Sequence, residues 1–304
     1  MGNEAGRVAA GRILIVGCGD VGLRVARLLS ARVRIFGIAR DPARAALLRR
    51  AGIVPIVADL DDAGSLTRVT GLARLVIHLA PPESDGEGDQ RTRRLVAALG
   101  PVERLVYVST SGVYGDCAGA LIDETRRTNP QTARARRRVA AELVLRQWAR
   151  RNNVRLTILR TPGIYAAERL PLARLREGTP VLAAHEDVYT NHIHADDLAR
   201  LIVAALYRGA PLRAYHASDS SELLMGEYFS MVADAFGLAR PARLPRAELV
   251  ARIAPTLLSF MSESRRLCNR RALSELGVRL HYPQVRDGLA AIERESTPRS
   301  SERP

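Results

Sequence analysis

The sequence contains no lysine: all 46 of its Lys+Arg residues are arginine. A Schiff-base lysine, a phosphate-loop lysine and a lysine general base all need an amine. A guanidinium cannot deprotonate to imitate one. Cysteine is scarce as well. The three present, Cys18, Cys117 and Cys268, stand at no metal-ligand spacing, which reads as free thiols in a reducing compartment. No His/Cys cluster suggests zinc and no Gly-x-Ser-x-Gly turn offers a nucleophile. Aromatic residues make up only 4%, so the core must be built from Leu, Val, Ile and Ala. The first ten residues lack an apolar signal region and no run reaches membrane-spanning length. These absences place the chain in the cytoplasm and argue against a membrane partner.

What is present is ordinary for a globular protein: 47% hydrophobic and 26% charged residues. The formal charge of +14 raises the question of nucleic acid. The arginines, however, are spread through almost every segment with acids between them, and only Arg134, Arg136, Arg137 and Arg138 bunch together. That distribution reads as solvated helix faces, and it favours a small-molecule substrate over nucleic acid. Self-association as a homodimer is left open.

Short Val/Ile/Leu-rich runs alternate with amphipathic stretches from residue 12 onward. The runs are Arg12–Val16, Val33–Ile38, Ile53–Val57, Leu75–Leu79, Leu105–Ser109 and Leu156–Leu159. They lack strict alternation, as strands buried on both faces do. Helical patterns fall between them, at Val21–Ser30, Ala43–Arg50, Arg91–Leu99 and Arg138–Arg151. The repeated βα rhythm predicts an α/β fold, a doubly wound parallel sheet of the Rossmann type. After Tyr165 the rhythm loosens. A helix is expected at Glu168–Arg176, a strand at Val188–His194, a helix at Asp196–Tyr207 and a strand at Ala214–Ala217. The expected organisation is therefore a dinucleotide domain at 11–165, then 166–294 as the end of the sheet interleaved with a small, mostly helical substrate lobe. Polar, disordered tails are expected at 1–10 and 295–304.

The strongest motif is Gly17-Cys-Gly19-Asp20-Val21-Gly22, which leaves the first strand and opens a helix. In that setting Gly17 makes the tight turn, Gly19 lets backbone approach a pyrophosphate and Gly22 lets helix pack on strand. The helix N-terminus adds amide donors and a favourable dipole. At the tip of the second strand an NAD site would want a carboxylate near position 39, but Ala39 stands there and Arg40 follows. Arg40 suits a 2′-phosphate, and Asp41 reads as a cap before Pro42. NADP(H) is thus expected as the cofactor, with NAD(H) the alternative.

Several further segments resemble the extended and atypical short-chain dehydrogenase/reductases, the NAD-dependent epimerase/dehydratase family, over roughly residues 11–292. Val57-Ala-Asp59-Leu60 resembles the end of the family's third strand, where the aspartate meets the adenine amino group. His78-Leu-Ala80-Pro81 resembles the fourth strand's tip beside the cofactor. Val106-Tyr-Val-Ser-Thr110-Ser111-Gly-Val-Tyr-Gly115 resembles the fifth-strand motif, with Thr110 at the place of the catalytic hydroxyl. Leu159-Arg-Thr-Pro162-Gly163-Ile-Tyr165 resembles the segment against the nicotinamide, and Asn191-His-Ile-His194-Ala-Asp196-Asp197-Leu198 the element that returns to the main domain.

One departure stands out. The family's chemistry rests on Tyr-x-x-x-Lys followed four residues later by a glutamate. Glu142 anchors that register, which puts Arg138 at the lysine and Arg134 at the tyrosine. A guanidinium has no proton to give near neutral pH, so the standard relay is missing and the chain resembles an atypical subgroup without it. Arg138 is expected to hold ribose hydroxyls, and Arg134 with Arg138 to offer positive charge to a substrate phosphate or carboxylate. Tyr114, His78 and the His192/His194 pair are read as packing groups, with Asp196 and Asp197 capping a helix that opens at Leu198. No metal ligands are expected. The functional expectation is an NAD(P)-dependent oxidoreductase or epimerase-like enzyme acting on a small anionic or sugar-nucleotide substrate. The alternative is a catalytically inactive NADP(H)-sensing regulator or interaction protein.

Overall fold

In a computed structural model that describes residues 11–30 and 33–296, seven strands form one sheet. They are β1 (Arg12–Val16), β2 (Arg34–Ala39), β3 (Val54–Val57), β4 (Leu75–His78), β5 (Arg104–Thr110), β6 (Arg155–Thr161) and β7 (Arg213–His216). The spatial order is β3-β2-β1-β4-β5-β6-β7, and every neighbouring pair is parallel. The order reverses between β1 and β4, which is where a doubly wound sheet opens a crevice at its carboxyl edge.

Helices cover both faces. On one side α1 (Asp20–Leu29), α2 (Pro42–Arg50) and α5 (Ala195–Arg208) bury Val25, Leu48, Leu198 and Ile202 against the sheet. On the other, α3 (Gln90–Ala98) and α4 (Ala133–Arg151) bury Leu95, Ala141 and Leu145. Each fully buried leucine contributes about 1.5–3 kcal/mol, and with two covered faces the strands need no alternation. A third apolar cluster joins Tyr165 to α6 (Met225–Ala235) and α7 (Val285–Ser296) through Tyr228, Phe229, Val285 and Leu289. That cluster is the core of the lobe beside the sheet's carboxyl edge.

The sheet strands begin and end within two residues of their sequence expectation. Four local readings change. Helix α4 starts at Ala133, five residues before the expected Arg138, because Thr132 accepts a hydrogen bond from the Ala135 amide (3.2 Å). The arginine run has no apolar period to reveal this, and the earlier start places Arg134 in the first turn. Helix α5 opens at Ala195, not Leu198, since His194 Nδ1 accepts from the Asp196 amide (3.2 Å). The expected strand 188–194 is two short ones. Tyr189–Thr190 pairs antiparallel with Leu223–Leu224, and His192–His194 pairs parallel with Gly163–Tyr165. The expected helix 168–176 divides at Pro171 into a single turn, Ala167–Arg169, and a short helix, Leu172–Arg176. The tails expected at 1–10 and 295–304 fall outside the described residues, except Glu295 and Ser296, which end α7. Among the described residues no helix is long and apolar enough to cross a membrane.

Candidate functional site

Two cavities of about 490 Å³ each open at the carboxyl edge of the sheet. The first lies between the tips of β1, β2, β3 and β4. Gly17, Gly19, Arg40, Asp59, Leu60, Ala80 and Pro81 all line it, so seven expected cofactor residues from four separate segments converge. The turn that shapes it needs glycine. Gly17 has φ +94°, and a Cβ there would sit 2.5 Å from the Ala80 amide nitrogen. A Cβ on Gly22 would lie 2.9 Å from the Gly17 carbonyl, so its absence lets α1 pack against the loop. Gly19, the cap of α1, has no side chain to satisfy the first-turn amides, which are left as donors for an anion.

The remaining residues of that loop divide by atom. Val21 is buried in the core, and only its backbone can serve the loop. The Asp20 carboxylate is held by Arg24 (2.8 Å) and by Arg169 Nε (3.1 Å). Although partial burial opposes it, those arginines lower its pKa. At the β2 tip Asp41 accepts from the Arg44 amide (2.8 Å) as the cap of α2, and Ala39 is buried. Asp41 is therefore spent on the cap, while Asp59 shares the lining with Arg40. Two arginines that the sequence did not single out, Arg44 and Arg91, complete the lining. Arg91 grips Asp61 (2.8 Å) and reaches the Pro82 carbonyl (3.3 Å).

The second cavity lies between the β5 and β6 tips and the lobe. It brings together Thr110, Arg134, Pro162 and Gly163 with Tyr165, His192 and Tyr228. The lining also carries Arg169, Arg174, Arg265 and Glu263, which sequence reasoning missed. In a chain with 46 arginines none of these positions carried a signal. Arg265 pairs with Glu263 (2.8 Å) and Arg169 with Asp20 (3.1 Å), and Arg134 and Arg174 leave the balance of charge in the lining positive. Thr110 Oγ1 accepts from the Gly112 amide (3.2 Å) as the cap of the following turn, which leaves its own proton unused by that bond. Burial lowers the pKa of Arg134, Glu263 opposes that, and Arg138, Arg137 and Arg265 add to it.

Arg138 behaves differently from Arg134. Its Nη1 donates to Tyr107 Oη (2.9 Å) and to the Val108 carbonyl (3.0 Å), and it lines neither cavity. Glu142, one turn further along α4, accepts from Ser109 Oγ (2.7 Å) and from Arg160 Nε (3.2 Å) and Nη2 (2.8 Å). Arg160 also donates to Tyr114 Oη (2.8 Å), which in turn donates to His216 Nε2 (2.6 Å). His216 Nδ1 donates to the Cys268 carbonyl (3.0 Å). Tyr114 is thus structural, and burial pushes its pKa up to about 12. His78 is structural too. Its Nε2 donates to Thr92 Oγ1 (3.0 Å), whose proton goes to Asp89 (2.5 Å).

Buried polar atoms are almost always paired, so unpaired ones carry information. Among the described residues seven buried side-chain atoms lack a partner: His78 Nδ1, Tyr165 Oη, His192 Nδ1, Ser218 Oγ, Asp219 Oδ2, Glu263 Oε1 and Arg265 Nε. Tyr165, His192, Glu263 and Arg265 line the second cavity, and Asp219 is bonded through its amide to the His192 carbonyl (2.7 Å). Four of the seven unpaired atoms thus belong to residues that border the place where a polar ligand would sit. Among the described residues no group of three or more His, Cys, Asp or Glu could hold a metal ion.

A parallel sheet reversed at β1/β4, with a glycine turn and an uncapped helix at that reversal, defines a dinucleotide-binding α/β protein. Residues 13–217 match the NAD dependent epimerase/dehydratase family, and the chain belongs to it. Among solved structures it is similar to a functionally unknown conserved protein from Silicibacter pomeroyi, at 29% identity and TM-score 0.76, covering 94% of this chain and 99% of that one. It is also similar to a double mutant of the dTDP-glucose 4,6-dehydratase from Streptomyces venezuelae solved with NAD, at 24% identity and TM-score 0.74, covering 93% and 96%. A nucleoside-diphosphate-sugar epimerase from Pseudomonas aeruginosa aligns at 20% identity and TM-score 0.76, covering 93% and 96%. The latter two likenesses establish the shared fold. No curated protein matches the sequence.

Two stability predictions follow from the buried groups. Glu142→Ala strands the Arg160 charge in the interior and should cost about 3–5 kcal/mol in urea unfolding, whereas Glu142→Leu/Arg160→Met should recover most of it. A single variant costing under about 1 kcal/mol would show that the pair is not the anchor. The second concerns acid. Burial holds His78 and His192 down to about 3 and His216 to about 4. The unfolded chain therefore binds more protons at these sites below about pH 6.5, and stability rises with pH through that window. Asp219, raised by burial to about 7, has the opposite sign. Three histidines against one carboxyl leave a net slope of about 2–3 kcal/mol per pH unit between pH 4 and 6. Thermal melts should drop steeply on acidification from pH 6.5, and a flat profile there would contradict the buried neutral histidines.

Proposed function

We propose that this chain is an NADP(H)-binding oxidoreductase of epimerase/dehydratase type, acting on a small anionic or sugar-nucleotide substrate without the usual Tyr-Lys relay. Residues 11–165 are assigned to dinucleotide binding, and 166–294 to the end of the sheet and the substrate lobe. The observation that carries the reading is the pair of cavities at one sheet edge, one built from the expected cofactor segments and the other electropositive. Gly17, Gly19 and the amides of Asp20, Val21 and Gly22 would hold the pyrophosphate, Asp59 and Leu60 the adenine end, and Ala80 and Pro81 the strand-four side. Arg40, with Arg44 beside it, would take a 2′-phosphate. Asp41 is committed as a helix cap, and its commitment supports NADP(H) over NAD(H). Thr110, Pro162 and Gly163 would face the nicotinamide, which supplies hydride transfer when bound.

In the second cavity Thr110 is the hydroxyl donor that would orient the reacting oxygen, and Arg134 the charge that would meet a substrate phosphate or carboxylate. Arg138 serves that cavity through β5 rather than by contact, since its bonds go to Tyr107 and Val108. A second reading, an NADP(H)-sensing regulator without chemistry, is supported by the register anchored on Glu142, which puts arginine at 134, where the resemblance places the family's acid.

One set of measurements separates these readings. Removing a charge-assisted hydrogen bond costs about 1.5–3 kcal/mol. Arg40→Ala should therefore weaken NADPH binding about tenfold or more and leave NADH binding unchanged. Equal NADPH affinity in both proteins would overturn the 2′-phosphate assignment. In a screen of carbonyl and sugar-nucleotide substrates with NADPH, Thr110→Val should cut turnover about a hundredfold. Tight NADPH binding with no turnover in any case would uphold the sensor instead.

A further inference from the structure

We propose that His192 is the acid/base residue of the second cavity, exchanging its proton through an internal water with the buried Asp219, whose amide bonds the His192 carbonyl. The proposal rests on the oxidoreductase reading of that cavity. Three observations carry it. His192 and Gly163 are register partners in one short parallel pair, and a Cβ on Gly163 would stand 3.4 Å from His192 Cδ2 and 3.9 Å from Nε2. The Nε2 edge of the ring therefore borders the segment expected at the nicotinamide. The ring itself is fixed, stacked on Tyr228 (centroids 4.0 Å apart, planes at 24°) and edge-on to Tyr165 (6.3 Å). Finally, Nδ1 is buried and unpaired, as are Tyr165 Oη, Ser218 Oγ and Asp219 Oδ2, each on a residue no more than 5% exposed.

Four unsatisfied polar atoms so placed would cost more than a fold tolerates without compensation. Unpaired buried polar atoms are the setting in which an internal water is held, and such a water would connect Nδ1 to the carboxyl. Asp219 is anchored for this role. Its amide donates to the His192 carbonyl (2.7 Å), and its Oδ1 accepts from the Ser221 amide (2.9 Å). Burial is the largest influence on its ionisation; bonds from Ser221 favour the carboxylate, Asp197 of α5 and Asp287 of α7 oppose it, and the hydroxyls of Tyr165 and Tyr228 feel its charge. Burial raises the Asp219 carboxyl to about 7, so it both holds and releases a proton near neutrality.

The step balances. In alcohol oxidation the substrate O–H bond breaks and its proton forms Nε2–H, while the carbinol hydride leaves to the oxidised dinucleotide. The Nδ1–H bond breaks as the Asp219 carboxylate becomes a carboxylic acid. Reduction runs each transfer backward. The imidazole stays neutral at both ends of the step, which suits a ring whose burial lowers its pKa to about 3. A shuttle of this kind needs no tyrosine at position 134.

The test is nitrogen NMR of the full chain labelled with ¹⁵N-histidine, with His192 assigned from His192→Gln. As Asp219 ionises, the ring-nitrogen shifts of His192 should pass through an inflection near pH 7 without reaching imidazolium values. Asp219→Asn should abolish that inflection. Wild-type His192 shifts that stay constant across that range, or that titrate to imidazolium, overturn the proposal even where the variant does not fold. The same shifts in wild type and folded Asp219→Asn overturn it too. An inflection without turnover on any substrate leaves the relay standing and counts against the proposed reaction.

Discussion

The ion pair between Glu142 and Arg160 fixes the rest of the site. It is buried, bidentate, and joined to Ser109 on β5 and Tyr114 beyond it. Ser109 and Thr110 are consecutive, so the carboxylate that holds α4 against β5 also fixes the strand tip where Thr110 stands. Arg160 lies on β6 just before Pro162 and Gly163, so the other half of the pair positions the segment that closes the second cavity. A buried pair of this kind adds little net stability against an apolar alternative. Its consequence is geometric: α4, β5 and β6 cannot shift without leaving a charge unpaired.

From that anchor the chemistry divides along α4. Arg138 lies against the sheet, its guanidinium on Tyr107 and the Val108 carbonyl, where it braces the strand behind the site. Arg134, one turn earlier, lines the cavity. By the register anchored on Glu142, two cations in different surroundings stand where the resemblance places the family's acid and positioning cation. An anionic substrate is the ligand such a floor suits, and the proton must come from elsewhere. The source we propose is His192, which lines the same cavity, backed by Asp219, whose amide bonds the His192 carbonyl.

The fold was legible because its signals are local. Buried parallel strands announce themselves as apolar runs, and the Gly17–Gly22 turn has a steric cause at Gly17 and at Gly22 that fixes its place. The first cavity was legible for the same reason apart from Arg44 and Arg91, which lie on helices, since its other lining segments follow the tips of strands of known order. The second cavity was legible only in part. Thr110, Pro162 and Gly163 sit on strand tips, whereas Arg169, Arg174, Glu263 and Arg265 come from lobe segments with no period. Among 46 arginines composition cannot distinguish a lining residue from a surface one. The early start of α4 was hidden likewise, because Thr132 as a cap is visible only once the helix is known to follow. His192 and His194 share a strand face as their spacing suggests. Only the fold shows that the latter caps α5 while the former borders Gly163.

The central claim is that the two cavities are halves of one site, with the cofactor laid from the first into the second. A crystal structure of the NADPH complex tests it most directly. The account predicts the 2′-phosphate at Arg40 and the nicotinamide between Thr110 and Gly163, with His192 on the side of the reacting oxygen. A dinucleotide seated elsewhere, or one whose nicotinamide lies outside the Thr110 cavity, would contradict it.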